Sequence, residues 1–219
     1  MRPVILINFK TYEQATGENA LKLAKICDNI ARETGSDIRI VVQASDIYPV
    51  SQAVKIPVYA QHIDPFSLGK FTGFISPEAV KQAGAKGTLL NHSEHRLKID
   101  DLEVSVKRAK ELGLVVVLCA NDPLIGQALS ALEPDFIAIE PPELIGGEIS
   151  VSTAEPEVIT EAVKRICGEE HCFKVLVGAG VHTNSDLKKV VELGAAGVLL
   201  ASGITTATNP EKVLKALVS

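Results

Sequence analysis

Three features are missing from this sequence, and each absence argues against a class of protein. Basic residues are not in excess, since the formal net charge of the 219 residues is -5, whereas nucleic-acid binding needs clustered Lys and Arg to neutralise phosphates. No apolar run approaches the length of a membrane span, and no secretory signal opens the chain. We therefore expect no nucleic-acid partner, no membrane association and a cytoplasmic location.

The cysteines also lack a recognisable pattern. The chain has four of them, Cys27, Cys119, Cys167 and Cys172, but no Cys-x-x-Cys pair and no Asp/His cluster with the spacing of metal ligands. A chain of this length can bury a core without cross-links. We therefore expect reduced, partly buried thiols and no metal site.

Short apolar runs alternate with stretches of helical periodicity along the whole chain. The runs are continuously apolar, which is typical of parallel strands covered on both faces. They occupy residues 4–8, 38–42, 57–61, 87–91, 114–119, 136–140, 173–178 and 197–201. Between them, apolar residues recur at 3.6 spacing, with caps such as Ser76-Pro77 and the Thr183/Asp186 pair. The helices after the second and fifth strands are expected to be short.

Eight strand–helix units without a linker favour a closed barrel. Strands that alternate with helices require right-handed crossovers and a parallel sheet. The prediction is an α/β fold with a single (β/α)8 barrel domain over residues 1–219. An open doubly wound sheet is the alternative, but no Gly-x-Gly-x-x-Gly motif follows the first strand.

Polar groups follow several of the predicted strands, at the barrel end where active sites lie. Lys10 follows the first strand, His92 the fourth, and Glu140 ends the sixth, while small residues form the turns at 178–180 and 201–203. A carboxylate can abstract a proton next to a carbonyl, which the imidazole and the ammonium can polarise. Small-residue turns let backbone N–H groups approach a phosphate.

The order and spacing of these motifs resemble those of triosephosphate isomerase. The motifs are Asn8-Phe9-Lys10, Asn91-His92-Ser93-Glu94, Ile139-Glu140-Pro141 with Ile145-Gly146, and the paired small-residue turns. The match runs from the first predicted strand to the last. The short chain and the phrases EPPELIG and GVLLASG look like the archaeal-type branch of the family. The resemblance implies interconversion of dihydroxyacetone phosphate and D-glyceraldehyde 3-phosphate, in glycolysis and gluconeogenesis, with no cofactor.

The resemblance also implies a role for each matched residue. Glu140 matches the general base, His92 the neutral imidazole electrophile, Lys10 the cation that offsets substrate charge, and Asn8 a hydrogen-bond donor near the substrate oxygen. Ser93 and Glu94 match residues that support this site from behind. The positions that match phosphate-binding residues are Ile145 and Gly146, in a lid that starts at Pro141, with Gly180, Ala201 and Ser202 in the last two turns. Cys119 matches a cysteine that packs behind the base.

Some positions depart from the family pattern. Many members have serine where this chain has Gly180, and two glycines where it has Ala201-Ser202, so phosphate contacts there would come from the backbone. Residues 69–73 resemble a loop that reaches into a neighbouring subunit, with Thr72 near that subunit's site. Phe71 and Phe74 lie in or beside it, although only 4% of the residues are aromatic. We expect them to anchor an interface rather than pack on the chain's own third helix, in a homotetramer as implied by the archaeal-type branch.

Two other functions stay open at this point. Another phosphate-binding barrel, acting on a phosphorylated sugar or an indole-type substrate, would share the last two turns but does not need Asn8, Lys10, His92 and Glu140 together. A non-catalytic barrel that senses a phosphorylated metabolite or serves as a scaffold could keep the phosphate turns and lose the base, whereas here Glu140 fills that position.

Overall fold

The computed structural model describes residues 2–141, 156–168, 174–178 and 180–219. Its eight strands form a closed barrel in which each strand pairs in parallel with its neighbours in sequence and the last pairs with the first. The strands are Val4–Asn8 (β1), Asp37–Val42 (β2), Val58–Ala60 (β3), Gly87–Leu90 (β4), Val115–Ala120 (β5), Phe136–Ile139 (β6), Val175–Val177 (β7) and Gly197–Leu200 (β8). The predicted (β/α)8 barrel is confirmed.

The described helices follow the strands and cover the outside of the barrel. They are Glu18–Thr34 (α1), Ile47–Ala53 (α2), Pro77–Gln82 (α3), Ile99–Glu111 (α4), Pro123–Ser130 (α5), Pro156–Cys167 (α6), Asn184–Glu192 (α7), Ser202–Thr205 (α8) and Pro210–Val218 (α9). Two 3-10 turns, Glu13–Ala15 and Ala44–Asp46, precede α1 and α2. Within the described part of the chain, no helix combines the length and apolar character that a membrane crossing requires.

The helix caps follow the sequence signals. The side chain of Ser76 accepts a hydrogen bond from the Ala79 N–H at the start of α3, and Asn209 accepts one from Lys212 at the start of α9. At α7, Thr183 and Asp186 form a capping box, which satisfies two N–H groups that a helix leaves without intrahelical partners.

Side chains alternate between two apolar layers along each strand. In β1, Val4 and Leu6 belong to the cluster that fills the barrel, whereas Ile5 and Ile7 belong to the larger cluster between strands and helices. This alternation follows from the two-residue period of a strand. The same period decides where the side chain of Asn8 points. Asn8 follows Leu6 by two positions, so it points into the barrel, at the carboxyl end of β1.

The amino-terminal end of the barrel is closed by Tyr59. Its side chain is buried in the interior, and its hydroxyl oxygen accepts a hydrogen bond from Arg39 Nη1 at 2.9 Å. A side chain at Gly87 would clash with this ring, since a Cβ there would lie 2.8 Å from Tyr59 Cζ. The open cavities that contain the candidate site residues lie at the opposite end, where the strands end.

The cysteine prediction is partly wrong. Cys27 and Cys119 are free and buried, but Cys167, at the end of α6, is in a disulfide bond. Cys172 lies outside the described residues. Core size, on which the prediction rested, does not decide whether a bridge forms, because that depends on the separation and direction of two side chains.

Candidate active site

A cavity of about 340 Å³ lies at the carboxyl end of the strands. Seven residues selected from the sequence line it: Asn8, Lys10, His92, Glu140, Gly180, Ala201 and Ser202. Glu94 lines an adjoining cavity of about 380 Å³, which shares Asn8, Lys10 and His92 with the first. Ser93 lies half-buried in the turn between His92 and Glu94. Ile145 and Gly146 lie outside the described residues, so their predicted roles stay predictions.

Glu140 directly follows β6 and points into the barrel because it follows the interior residue Ala138 by two positions. Its N–H donates to the Ala120 carbonyl at 2.8 Å, which fixes its backbone against β5. The residue is only 4% exposed. Oε1 lies 3.3 Å from His92 Nε2, while no described residue bonds Oε2. A buried carboxylate oxygen without a partner is costly, so it is a candidate for chemistry.

Gly178 provides the space for this carboxylate. A Cβ built on Gly178, just after β7, would lie 2.3 Å from Glu140 Cγ and 3.1 Å from Cδ. Real carbon atoms do not approach so closely. A side chain at position 178 would therefore force Glu140 to move.

The contacts of His92 indicate its tautomer. The ring is buried, and its Nδ1 accepts a hydrogen bond from the Glu94 N–H at 3.2 Å. A backbone amide can only donate, so Nδ1 carries no proton and a neutral ring must carry its proton on Nε2. That Nε2–H faces Glu140 Oε1 and the cavity. The imidazole therefore presents its Nε2–H to the cavity as a hydrogen-bond donor.

Lys10 is held at the rim by its backbone as well as its charge. Its φ of +48° lies in the left-handed region that non-glycine residues avoid. Its N–H donates to Asn8 Oδ1 at 3.0 Å, and Gln61 Nε2 donates to its carbonyl at 2.8 Å. The ammonium pairs with Glu94 Oε1 at 2.8 Å. Backbone strain that neighbouring hydrogen bonds maintain is typical of functional sites.

The far wall of the cavity consists of small residues and the short helix α8. Gly180 has φ +64°, which suits glycine, and α8 starts at Ser202 after β8. The first N–H groups of a helix have no acceptor within it. The backbone at Gly180, Ala201 and Ser202 thus lies along one side of the cavity, and the His182 side chain lines the same side.

Cys119 lies behind the site, in the apolar interior of the barrel. Burial raises the pKa of its thiol well above the usual value, and the charge of Glu140 raises it further. A protonated, fully buried thiol is a poor nucleophile. Cys119 therefore packs beneath Glu140, as the sequence predicted.

Sequence reasoning missed three residues that shape this site, Gln61, Arg96 and His182, and it included Gly178 only as part of the strand-seven turn. Gln61 donates to the backbone carbonyl of the distant Lys10, Arg96 donates to that of Asn91 five residues earlier, and Gly178 acts through the absence of a side chain. His182 lies two residues after the strand-seven turn, so its place in the sequence was the one available signal. Among the described residues, no three His, Cys, Asp or Glu side chains form a group that could hold a metal ion.

The closed parallel barrel has its cavity at the carboxyl ends of the strands, which is where enzymes with this fold have their active sites. The comparisons with known proteins identify the family. The family model described as triosephosphate isomerase matches residues 3–217. The chain is 50% identical to the triosephosphate isomerase of Methanobacterium bryantii, over 99% of this chain and 96% of that protein. It is 51% identical to that of Methanothermobacter thermautotrophicus, over 99% and 95%, and 48% identical to that of Saccharolobus solfataricus, over 97% and 93%. The chain belongs to the triosephosphate isomerase family.

Proposed function

We propose that this chain interconverts dihydroxyacetone phosphate and D-glyceraldehyde 3-phosphate, with Glu140 as base and His92 as electrophile. The family and the names of its curated relatives support the reaction. The observation that carries the assignment of residues is the 3.3 Å contact between Glu140 Oε1 and His92 Nε2. Both groups are buried in the cavity that Lys10 also lines.

The proton transfer follows from the positions of these groups. Glu140 removes a proton from the carbon next to the carbonyl and returns it to the neighbouring carbon, which interconverts ketone and aldehyde. The Nε2–H of His92 donates a hydrogen bond to the oxygen that becomes negative in the enediolate. Burial strengthens both interactions, because little water screens them.

Lys10 and Asn8 complete the polar side of the proposed site. The ammonium of Lys10 offsets the negative charge of the substrate and intermediate. Its partner Glu94 has a side chain that is 60% exposed, so this carboxylate can turn to solvent when a phosphorylated substrate arrives. The side chain of Asn8 accepts the Lys10 N–H at Oδ1, and among the described residues its Nδ2 has no acceptor, so this amide N–H can donate to a substrate oxygen.

We place the phosphate against the small-residue wall. Backbone N–H groups at Gly180 and at the start of α8, around Ala201 and Ser202, would hold it, as the family resemblance implies. A (β/α)8 barrel often binds phosphate at the loops after its last two strands. The roles of Ile145 and Gly146 in a lid, and of residues 1–219 as one catalytic domain in the cytoplasm, remain predictions.

The exposed aromatic loop supports self-association. Phe66 stacks on Phe71 at 4.4 Å and meets Phe74 edge-on at 4.8 Å between ring centroids. Even so, Phe71 is 41% and Phe74 53% exposed, so their mutual packing leaves apolar surface open. Such patches on a folded protein mark interaction sites. We propose that this loop, with Thr72, reaches the cavity beside Lys10 in a neighbouring subunit.

A second exposed surface supports a tetramer rather than a dimer. On α4 and α5, four large apolar side chains are exposed: Ile99, Val104, Leu124 and Ile125. A homotetramer with D2 symmetry needs at least two kinds of contact, and the aromatic loop and the exposed side chains of α4 and α5 offer one each. Sedimentation of the wild type should give four times the monomer mass, and Leu124→Lys should give a dimer. A monomer in the wild type would contradict the proposal.

The reaction is tested by a coupled assay with D-glyceraldehyde 3-phosphate, with and without 2-phosphoglycolate. We expect activity in the wild type, and in Glu140→Gln a kcat lower by about 10²–10⁴-fold, with 2-phosphoglycolate bound within about tenfold of the wild-type affinity. Glu157→Gln, the same change at an exposed position of α6, is the control and should be fully active. Full activity of Glu140→Gln would contradict the base; an inactive wild type that binds 2-phosphoglycolate would indicate a sensor or scaffold.

A further inference from the structure

Asn91, the residue between β4 and His92, has an unusual backbone conformation. Its φ is +59°, and it is 8% exposed. Asparagine enters the left-handed region more readily than other residues with a side chain, but it still pays a cost. A residue keeps such a conformation only where its surroundings impose it. The contacts of Asn91 therefore need an explanation.

Both ends of the Asn91 side-chain amide are used. Its Nδ2 donates to the carbonyl of Cys119, near the end of the neighbouring strand β5, at 3.0 Å. Its Oδ1 accepts from the Leu97 N–H at 3.1 Å. The amide thus links the end of β4 to β5 and to the chain that leaves the turn of residues 92–96. Its two hydrogen bonds thus hold the ends of this turn together, and His92 is the first residue of the turn.

Arg96 makes a second set of bonds to the same place. Its Nη1 donates to the Asn91 carbonyl at 2.6 Å and lies 3.5 Å from the Cys119 carbonyl, and its Nη2 donates to Asn121 Oδ1. Asn91 and Arg96 together hold the two ends of the turn against β5.

This turn determines what the imidazole can do. The Glu94 N–H that bonds His92 Nδ1 at 3.2 Å lies inside it, and the His95 N–H donates to the His92 carbonyl at 2.8 Å. If the turn loosened, Nδ1 would lose its donor and the proton would no longer be confined to Nε2. The ring would also leave its 3.3 Å contact with Glu140. A small shift at a site of this kind has a large effect on rate.

We propose that Asn91 and Arg96 are positioning residues for the reaction, which fix the tautomer and the direction of the His92 ring without touching the substrate. The proposal rests on the proposed function. This role also accounts for the left-handed φ of Asn91. In this conformation the residue ends β4, directs its amide toward β5 and places His92 in the cavity.

The first test is Asn91→Gly, because glycine keeps the backbone conformation and removes only the amide. We expect kcat to fall about 10–100-fold, with KM within threefold of the wild type. In ¹⁵N–¹H spectra of the histidine rings, assigned with a His92→Gln variant, wild-type His92 should appear as one Nε2–H tautomer and the variant as a mixture. Asn184→Gly is the control, since Asn184 Nδ2 also donates to a carbonyl, that of Leu217, at 2.8 Å; kcat and the His92 signals should not change.

Arg96 provides a test that does not depend on how well Asn91→Gly folds. Arg96→Ala should lower kcat at unchanged KM, and Arg96→Lys should restore part of it, because an ammonium can still donate to the Asn91 carbonyl. A kcat within threefold of the wild type in both Asn91→Gly and Arg96→Ala would overturn the proposal. So would a lower kcat with the wild-type tautomer of His92. An inactive wild type would instead contradict the proposed function and leave the prediction for the tautomer standing.

Discussion

A single methyl group added at Gly178 would test how tightly the barrel holds the base. In Gly178→Ala the new Cβ would start 2.3 Å from Glu140 Cγ. Gly178 does not have a positive φ, so alanine meets no backbone strain there. The clash with the Glu140 side chain is the main consequence of the change.

The size of the effect follows from this distance. Carbon atoms in contact lie about 3.5–4.0 Å apart, so Glu140 Cγ or the backbone of position 178 must move by more than about 1 Å. The carboxylate is 4% exposed and lies 3.3 Å from His92 Nε2, so it cannot move that far and keep this contact. A 1 Å misplacement of a reacting group costs about 10²-fold in rate, which is about 2.7 kcal/mol on the barrier.

The measurement is the kcat of Gly178→Ala in the coupled assay, together with its thermal midpoint. The control is Gly126→Ala in α5, whose Cβ would also meet β6, 2.8 Å from Ile139 Cδ1, but on the helix side. We expect kcat to fall about 10²-fold in the first variant and to stay near the wild-type value in the second. A kcat within threefold of the wild type in folded Gly178→Ala would show that the barrel does not hold Glu140 this tightly.

Three further predictions concern stability and reactivity. Burial lowers the pKa of His62 and the nearby His95 lowers it further, while the hydrogen bond to Asp64 opposes both effects. As the pH falls, the unfolded chain therefore binds this proton before the folded one does. The free energy of unfolding should fall as the pH drops below about 6.5. Urea midpoints between pH 5 and 7.5 should vary less in His62→Gln, and an equal slope would contradict this. Glu133 has φ +54°, so Glu133→Gly should raise the free energy of unfolding by about 1 kcal/mol, whereas Glu133→Ala, which keeps the strain, should not. Burial raises the pKa of Cys27 to about 12 and that of Cys119 well above its usual value, so at pH 8 neither thiol should react with a disulfide reagent until the chain unfolds; rapid reaction of either would contradict the burial.

Much of the fold could be read from local patterns. The strand β1 has the predicted bounds, and the other strands differ from prediction by a few residues at their ends. The prediction succeeds because continuous apolar runs between turn signals are typical of buried parallel strands. The helix caps at Ser76, Thr183 and Asn209 can also be predicted from the sequence, because a capping side chain and the N–H group that it accepts are only three residues apart.

From the sequence, the candidate site could be predicted only as a set of residue types at strand ends. Parallel strands in a closed barrel all end on one side, so the order of the motifs sufficed to bring Lys10, His92 and Glu140 to one cavity. Which atoms meet was not available, because a contact such as Glu140 with Gly178 depends on the register between β6 and β7.

Short-range patterns and the order of the motifs were enough to predict the eight-unit barrel, the family and the residues at the carboxyl ends of the strands. The tertiary structure alone decided the proton position on His92, the left-handed turn at Asn91 and the clearance that Gly178 leaves for the base. It also decided the disulfide state of Cys167. These features depend on distances between residues far apart in the chain, which strand register and packing fix and local pattern does not.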